Sequence, residues 1–315
     1  MIKIYKSGKF TDSSRIIEIE KVCANSWVSL IDPTDEEVKS ISEDFDLDKS
    51  IINDMLDYES VPHIEKELKE GYISFILRTP VVLEEKGLVT IPLGIIFLTK
   101  KNIILTICKH DNFAITKLSA RPPRGFTTKN KFIFFRQLNR KVLNSYMSEL
   151  HKIEHEIRCV EESINDALEN KEIALLLSKQ NTLVYFKTSM VGNKSVLTKI
   201  SLGKIIPLND DEKDLLEDAI MDINEAQQLI SIYSEIISHT MSAYASIVSN
   251  NLSFVLKVLA IITLTISIPA MLFSFYGMNV NLPFQQDPFL VVYLIMLALG
   301  IIGFILLVFK KKKWF

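Results

Sequence analysis

The apolar positions along this chain fall into three regimes, and each predicts a different kind of structure. Over residues 1 to about 125 they form short runs of strand length broken by polar turns: Ile2-Lys3-Ile4-Tyr5, then Trp27-Val28-Ser29-Leu30-Ile31. Asp32-Pro33-Thr34 then opens a helix. Thr34 with Glu37 three residues on is a capping box, in which two side chains satisfy the free N–H groups of the first turn reciprocally. Helical spacing follows through Val38, Ile41 and Phe45, and again through Ile51, Ile52, Met55 and Leu56. Three β-rich runs come next, Tyr72–Leu83, Val89–Thr99 and Asn102–Cys108. They are separated by Gly87 and by Lys100-Lys101-Asn102, as in an antiparallel meander. Residues 1–125 are therefore expected to be an α/β domain.

The second regime starts after Arg121-Pro122-Pro123-Arg124-Gly125. From Lys129 to about Gly192 the period is helical, with a weak point near Asn170. Phe132, Phe135, Leu138, Val142, Tyr146, Leu150, Ile153, Ile157, Val160 and Ile164 recur in steps of three and four. Gly203 to Pro207 breaks the pattern. From Asp210 there is no Gly or Pro until Pro269, and a continuous helix to Phe275 would be roughly 100 Å long at about 1.5 Å per residue. One small domain cannot cover a helix of that length. A stalk that is half apolar along its length needs partners, so oligomerisation is expected. Residues 126–252 read as a helical bundle and stalk.

The third regime is nearly free of charge. Between Lys257 and Lys310 the only ionised side chain is Asp287, and the runs Val258–Tyr276 and Pro288–Phe309 are each long enough to cross a hydrocarbon core. The predicted division is a first span over 253–276, a link over 277–287, a second span over 288–309 and a basic tail over 310–315. Lys310, Lys311, Lys312 and Lys313 follow the second span, Lys257 starts the first, and the link carries no Lys or Arg. The positive-inside rule then puts both ends in the cytoplasm, with Trp314 and Phe315 near the inner interface. The start of the chain, Met1-Ile2-Lys3-Ile4-Tyr5-Lys6, lacks the apolar core of a signal peptide, in agreement with a cytoplasmic N-terminus.

Composition changes this picture little. A net charge of −2 argues against nucleic acid as a partner. Cys23, Cys108 and Cys159 have no CxxC spacing and read as reduced thiols of a cytoplasmic domain. There is no GxxxxGK[ST] loop to support nucleotide-driven pumping.

Candidate chemistry concentrates on the first span. Steps of three and four give Ser246, Ser249, Ser253, Leu256, Ala260, Thr263, Ser267, Ala270 and Ser274, ending at Gly277, whereas Val255, Leu259, Ile262, Leu264, Ile266 and Ile268 lie on other faces. A face of small and hydroxylic residues suits a narrow water path along an oligomer axis, with an apolar collar at Leu256 and Leu259 gating by dewetting. It equally suits close helix packing in lipid. The motif His151-Lys152-Ile153-Glu154-His155 fits the H-x-x-E-H pattern of inverted zinc peptidases. It lies inside an amphipathic helix with no third ligand motif, so an enzyme is not expected.

Tyr276-Gly277-Met278-Asn279 at the end of the first of two C-terminal spans resembles the signature of the CorA-type divalent-cation transporters. The Lys-rich, Trp-containing terminus and Asn250-Asn251-Leu252 with Val255-Leu256-Lys257-Val258-Leu259 are similar to the same family. Trp27 to Pro33 and Pro62-His63-Ile64-Glu65 resemble its N-terminal domain, with His63 where many members have Arg. The resemblance implies a funnel-shaped homopentamer in the cell membrane that imports Mg²⁺ passively, Mg²⁺ being both substrate and regulatory ligand. It implies a selectivity ring of Gly277, Met278 and Asn279, whose neutral oxygens hold the hydrated ion. The pore lining would be Ser253, Leu256, Leu259, Ala260, Thr263, Ser267, Ala270 and Ser274. Glycine at 277 would allow close backbone approach or a positive φ at the helix end; the alternative reading of Gly-x-Asn is an ordinary helix C-terminal turn. Ser253 stands where members commonly carry a pore-facing Asn, and Ala260 where Thr is common. Within the acidic stretch Asp210, Asp211, Glu212, Asp214, Glu217, Asp218, Asp222 and Glu225, the resemblance singles out Asp218 as a regulatory Mg²⁺ ligand. Asp210 to Asp214 read as a solvated helix start. Two alternatives stay open: the same architecture carrying Zn²⁺, Co²⁺ or Ni²⁺, and a non-conducting, membrane-anchored cation sensor.

Overall fold

The structure, a computed structural model, describes residues 1–8, 16–67, 71–84, 87–163, 170–203, 205–280, 282–284 and 287–311. Ile164, Asn281, Lys312, Lys313, Trp314 and Phe315 lie outside the described residues. The chain divides into two compact units, Met1–Met241 and Ser242–Phe315.

The first unit begins with a mixed sheet. Its strands are β1 (Ile2–Ser7), β2 (Ile16–Glu18), β3 (Ser26–Ile31), β4 (His63–Glu67), β5 (Tyr72–Leu83), β6 (Gly87–Leu98) and β7 (Ile103–Cys108), in the order β2-β1-β3-β7-β6-β5-β4. The expected meander is present: β5, β6 and β7 pair antiparallel in succession. The joint to β3 is parallel, with Trp27 opposite Ile104 and Ile31 opposite Cys108. Strands in the middle of the sheet read as unbroken apolar runs because both faces are covered.

One face carries α1 (Asp35–Phe45) and α2 (Lys49–Leu56). The capping box at Thr34 is formed, the Glu37 N–H donating to Thr34 Oγ1 at 3.2 Å and the Thr34 N–H to Glu37 Oε2 at 3.0 Å. Val38, Ile41, Phe45, Ile52 and Met55 pack onto Val28, Leu30, Ile96, Leu105 and Ile107. Gly94 on β6 lets α2 settle here, since a Cβ at that position would fall 2.2 Å from the Met55 sulfur.

The other face is covered by α3 (Phe113–Ala120), α4 (Lys131–Ser163) and α5 (Asn170–Ser201). Aromatic rings form this layer: Trp27 meets Phe134 edge-on at 5.1 Å and Phe75 meets Phe135 at 5.2 Å, while the Trp27 indole N–H is satisfied by Thr106 Oγ1 at 2.8 Å. Helix α5 does not end near Gly192, as the sequence suggests, but runs on to Ser201. Gly192 sits inside it because the Pro62 ring packs there: an added Cβ would fall 2.6 Å from Pro62 Cγ. The neighbouring Asn193 acts as a strand partner, accepting the Arg78 N–H and donating to the Arg78 carbonyl, both at 2.8 Å.

Helix α6 (Asp210–Tyr276) is continuous over 67 residues. Asn209 caps it reciprocally with Glu212. In the first unit its buried positions are Leu216, Ile223, Ala226, Ile230, Tyr233, Ile237 and Thr240, a stripe at helical spacing. Pro269 is accommodated within the helix, where it frees the Thr265 carbonyl from its usual i+4 bond. Helix α7 (Leu290–Lys311) starts two residues later than the apolar run that announces it. The delay has a local cause: Asp287 Oδ1 takes the Phe289 N–H at 2.9 Å, capping the helix ahead of its first turn. By length and composition, α6 and α7 each contain a segment able to cross a membrane.

Candidate ion path

Helical geometry sorts the apolar end of α6 into two faces. Val258, Ile261, Thr265, Ile268, Leu272 and Tyr276, in steps of three and four, are buried or half-buried. Ser253, Leu256, Leu259, Ala260, Thr263, Ser267, Ala270 and Ser274 are all exposed in the single chain. Within the same unit, Leu294 and Ala298 on α7 are buried, as is Ile261 on α6. One face of α6 is thus covered inside its own chain; the rest of its surface is open, and the hydroxylic stripe shares it with Ile262, Leu264, Ile266, Met271 and Phe273, which are exposed as well.

Two hydroxyls of this stripe, those of Thr263 and Ser253, are held by their own helix. Thr263 donates to the Leu259 carbonyl at 2.8 Å and Ser253 to the Ser249 carbonyl at 2.9 Å. Ser246, further down, donates to the Ser242 carbonyl at 3.0 Å. Each proton is committed to a carbonyl one turn back, so the oxygen keeps lone pairs for whatever lies alongside. Groups in that state are acceptors, which suits a cation or its water shell.

Gly277 closes the helix. Its N–H bonds the Phe273 carbonyl at 2.9 Å and the Ser274 carbonyl at 3.2 Å, and Met278 N–H reaches the Phe275 carbonyl at 3.4 Å. The φ of Gly277 is not positive, contrary to one of the two roles expected for it. Glycine instead relieves a tight contact, since a Cβ would sit 3.2 Å from the Phe273 oxygen. Met278 and Asn279 follow in an exposed turn. The C-terminal end of α6, with its partial negative charge, adjoins these residues.

Asp218 lies in the first unit, in a cleft of about 190 Å³ lined by Asp222, Leu215 and Ala219 of α6 and by Arg136, Arg140 and Asn139 of α4. The two arginines were not singled out from the sequence. Their signal is a constant offset: Glu154 accepts the Tyr233 hydroxyl and Glu161 the Thr240 hydroxyl, each pair 79 residues apart, so α4 and α6 run parallel. The same offset puts Arg136 and Arg140 beside Leu215 and Ala219.

The H-x-x-E-H pattern does not assemble a hydrolytic centre. Glu154 accepts hydrogen bonds from Tyr233 at 2.9 Å and Arg158 at 2.7 Å. These partners, Tyr233 foremost, hold its carboxyl below the usual range, and burial, reinforced by Glu154, pushes the Tyr233 hydroxyl up to about 12. His155 Nδ1 pairs with Cys159 Sγ at 3.6 Å. Among the described residues no three His, Cys, Asp or Glu side chains are grouped to hold a metal.

Comparison with known proteins places this architecture. The family model "CorA-like Mg2+ transporter protein" matches residues 24–311. The cobalt/magnesium transport protein CorA of Methanocaldococcus jannaschii is 26% identical over 295 residues, covering 91% of this chain and 90% of that one. The protein of the same name from Thermotoga maritima is 25% identical over 331 aligned positions, covering 99% and 90%. The complete structure of the CorA magnesium transporter from Methanocaldococcus jannaschii superposes with a TM-score of 0.85 at 20% identity, covering 100% of this chain and 99% of that one. With a family match across nearly the whole sequence and a shared fold from the sheet to the last apolar helix, this chain belongs to the CorA-like Mg²⁺ transporter family.

Proposed function

We propose that this chain is the subunit of a homopentameric, gated channel that carries divalent cations, Mg²⁺ foremost, passively into the cytoplasm. Residues 1–252 form the cytoplasmic part, 253–276 the pore-lining span, 277–287 the external link and 288–309 the outer span. The observation that carries this reading is the open face of α6. Ser253, Leu256, Ala260, Thr263, Ser267, Ala270 and Ser274 follow one another by three or four residues, all are exposed, and the Ser253 and Thr263 hydroxyl protons are turned back into the helix. Leu256 and Leu259, more than half exposed at 55% and 57%, would meet their counterparts around the axis as a hydrophobic constriction.

Mg²⁺ gives up its waters reluctantly and prefers octahedral oxygen coordination. A ring of Asn279 amides with the Gly277 and Met278 carbonyls offers neutral oxygens to the hydrated ion at the negative ends of the α6 helices, holding it without trapping it. Serine at 253 is again a neutral oxygen, while Ala260 offers none. The membrane potential supplies the drive, about 4.6 kcal/mol for two charges per 100 mV. Lys310 and Lys311 in the last turn of α7 would meet anionic lipid on the inner surface.

Feedback follows if Mg²⁺ at Asp218 holds neighbouring stalks together and its loss releases them. In this chain the cleft that holds the carboxylate is also lined by Arg136 and Arg140 of its own subunit, whose positive charge opposes a bound cation there. Cobalt transport is the second reading, favoured by the names of both relatives.

The test is influx into proteoliposomes holding a Mg²⁺-sensitive dye. Mg²⁺ influx that rises with an imposed inside-negative potential and is slowed by external Co²⁺ supports the proposal. Absence of flux for both ions would leave a non-conducting, membrane-anchored sensor.

A further inference from the structure

The exposed side of α4 carries a pair of metal donors outside the ion path. His155 and Cys159, one helical turn apart, are both exposed, on the opposite side from Ile153, Ile157 and Val160, which pack inward. The His155 Nδ1 and Cys159 Sγ atoms lie 3.6 Å apart. That separation has a chemical meaning. Two ligands on a tetrahedral zinc, with Zn–S near 2.3 Å and Zn–N near 2.05 Å, stand roughly 3.5–3.6 Å from each other. The same 3.6 Å is a hydrogen bond between the thiol and the imidazole, so the two donors already face each other and a chelated ion would replace that bond.

We propose that His155 and Cys159 form a two-ligand site for a borderline or soft divalent cation, Zn²⁺ in the first instance, with water or a further donor completing the tetrahedron. The helix enforces the geometry, because residues four apart have their Cβ atoms about 5–6 Å from each other. The other donors nearby are committed or separate: the His151 ring is 3.7 Å from Glu154, and Glu154 is held by Arg158 and Tyr233. The donor set separates this site from the transported ion. Imidazole and thiolate select zinc-like metals, whereas Mg²⁺ takes oxygen ligands. Binding releases the thiol proton to solvent as the Zn–S bond forms, with no redox change.

The experiment uses the full-length protein in detergent under reducing conditions, with zinc chloride as the probe. The rate at which iodoacetamide alkylates Cys159 is read from its peptide by mass spectrometry. Alkylation should slow about tenfold once free Zn²⁺ exceeds the dissociation constant by about tenfold, because only the unoccupied fraction reacts. His155→Ala retains the thiol at an exposed, tolerant position and should abolish the protection, and Mg²⁺ at the same concentration should give none. Unchanged alkylation under Zn²⁺, protection that persists in His155→Ala, or equal protection by Mg²⁺ would each overturn the proposal. No flux is measured, so the result stands apart from the transport reading.

Discussion

Tyr233 on α6 donates its hydroxyl to Glu154 on α4 at 2.9 Å, and seven residues further along both helices Thr240 donates to Glu161 at 3.3 Å. Two polar bonds with one offset fix the register of a parallel helix pair, in the part of α6 that precedes its apolar end. The glutamate of an apparent zinc-peptidase motif is here a fastener between α4 and α6.

That fastening depends on pH in a defined direction. The Glu154 carboxyl titrates below its ordinary value of 4.5 in the folded chain. A lowered folded pKa contributes stability that is fully present above about 4.5 and lost as pH falls through the folded value. Thermal melts of Tyr233→Phe against wild type should therefore show a deficit at pH 6 that shrinks in the range below 4.5. A deficit that is constant with pH would mean that the hydroxyl acts through packing alone.

Gly192 predicts a stability effect with a rescue. Gly192→Ala places a methyl group 2.6 Å from Pro62 Cγ, and overpacking of this kind costs about 1–3 kcal/mol. Pro62→Ala in the same chain should return most of the lost melting temperature, because it removes the atom that clashes.

The two threonines of the apolar segment separate path from packing. Thr263 is exposed and Thr265 half-buried, yet both donate to the carbonyl four residues back. Valine keeps the shape of each and removes the oxygen. Thr263→Val should lower Mg²⁺ flux about tenfold, equivalent to losing one hydrogen bond near a charged species. Thr265→Val should leave flux near wild type. Equal effects of the two would assign the open face to helix packing in lipid.

Asp218→Ala tests the feedback. Channels lacking this carboxylate should stay open at an internal Mg²⁺ concentration that shuts wild type. Arg136→Gln should act in the opposite direction, shifting closure to lower Mg²⁺, because it removes a positive charge from the lining of the cleft. Normal closure of Asp218→Ala would remove Asp218 from the sensor.

Features set by local rules were legible in the residues, and those set by distant partners were not. The Thr34–Glu37 box, the bounds of β5 and the unbroken run of α6 follow from capping, alternation and the absence of Gly and Pro. Strand β4, His-Ile-Glu-Lys-Glu, escaped because an exposed edge strand needs no apolar alternation. The parallel pairing of Trp27 with Ile104 escaped because no local signal selects a partner so far along the chain. At the candidate site, period alone put Ser253 to Ser274 on one face. The direction of the Ser253 and Thr263 hydroxyl protons, the φ of Gly277 and the arginines that line the Asp218 cleft depend on backbone and neighbours that a linear pattern does not specify.

The most direct test of the central claim compares wild type with Asn279→Ala in proteoliposomes containing a Mg²⁺-sensitive dye, at matched protein content and confirmed oligomeric state. The account predicts fast, potential-driven Mg²⁺ influx in wild type that collapses in the variant. Influx of equal rate in both would contradict it, by removing the Gly277-Met278-Asn279 turn from the path of the ion.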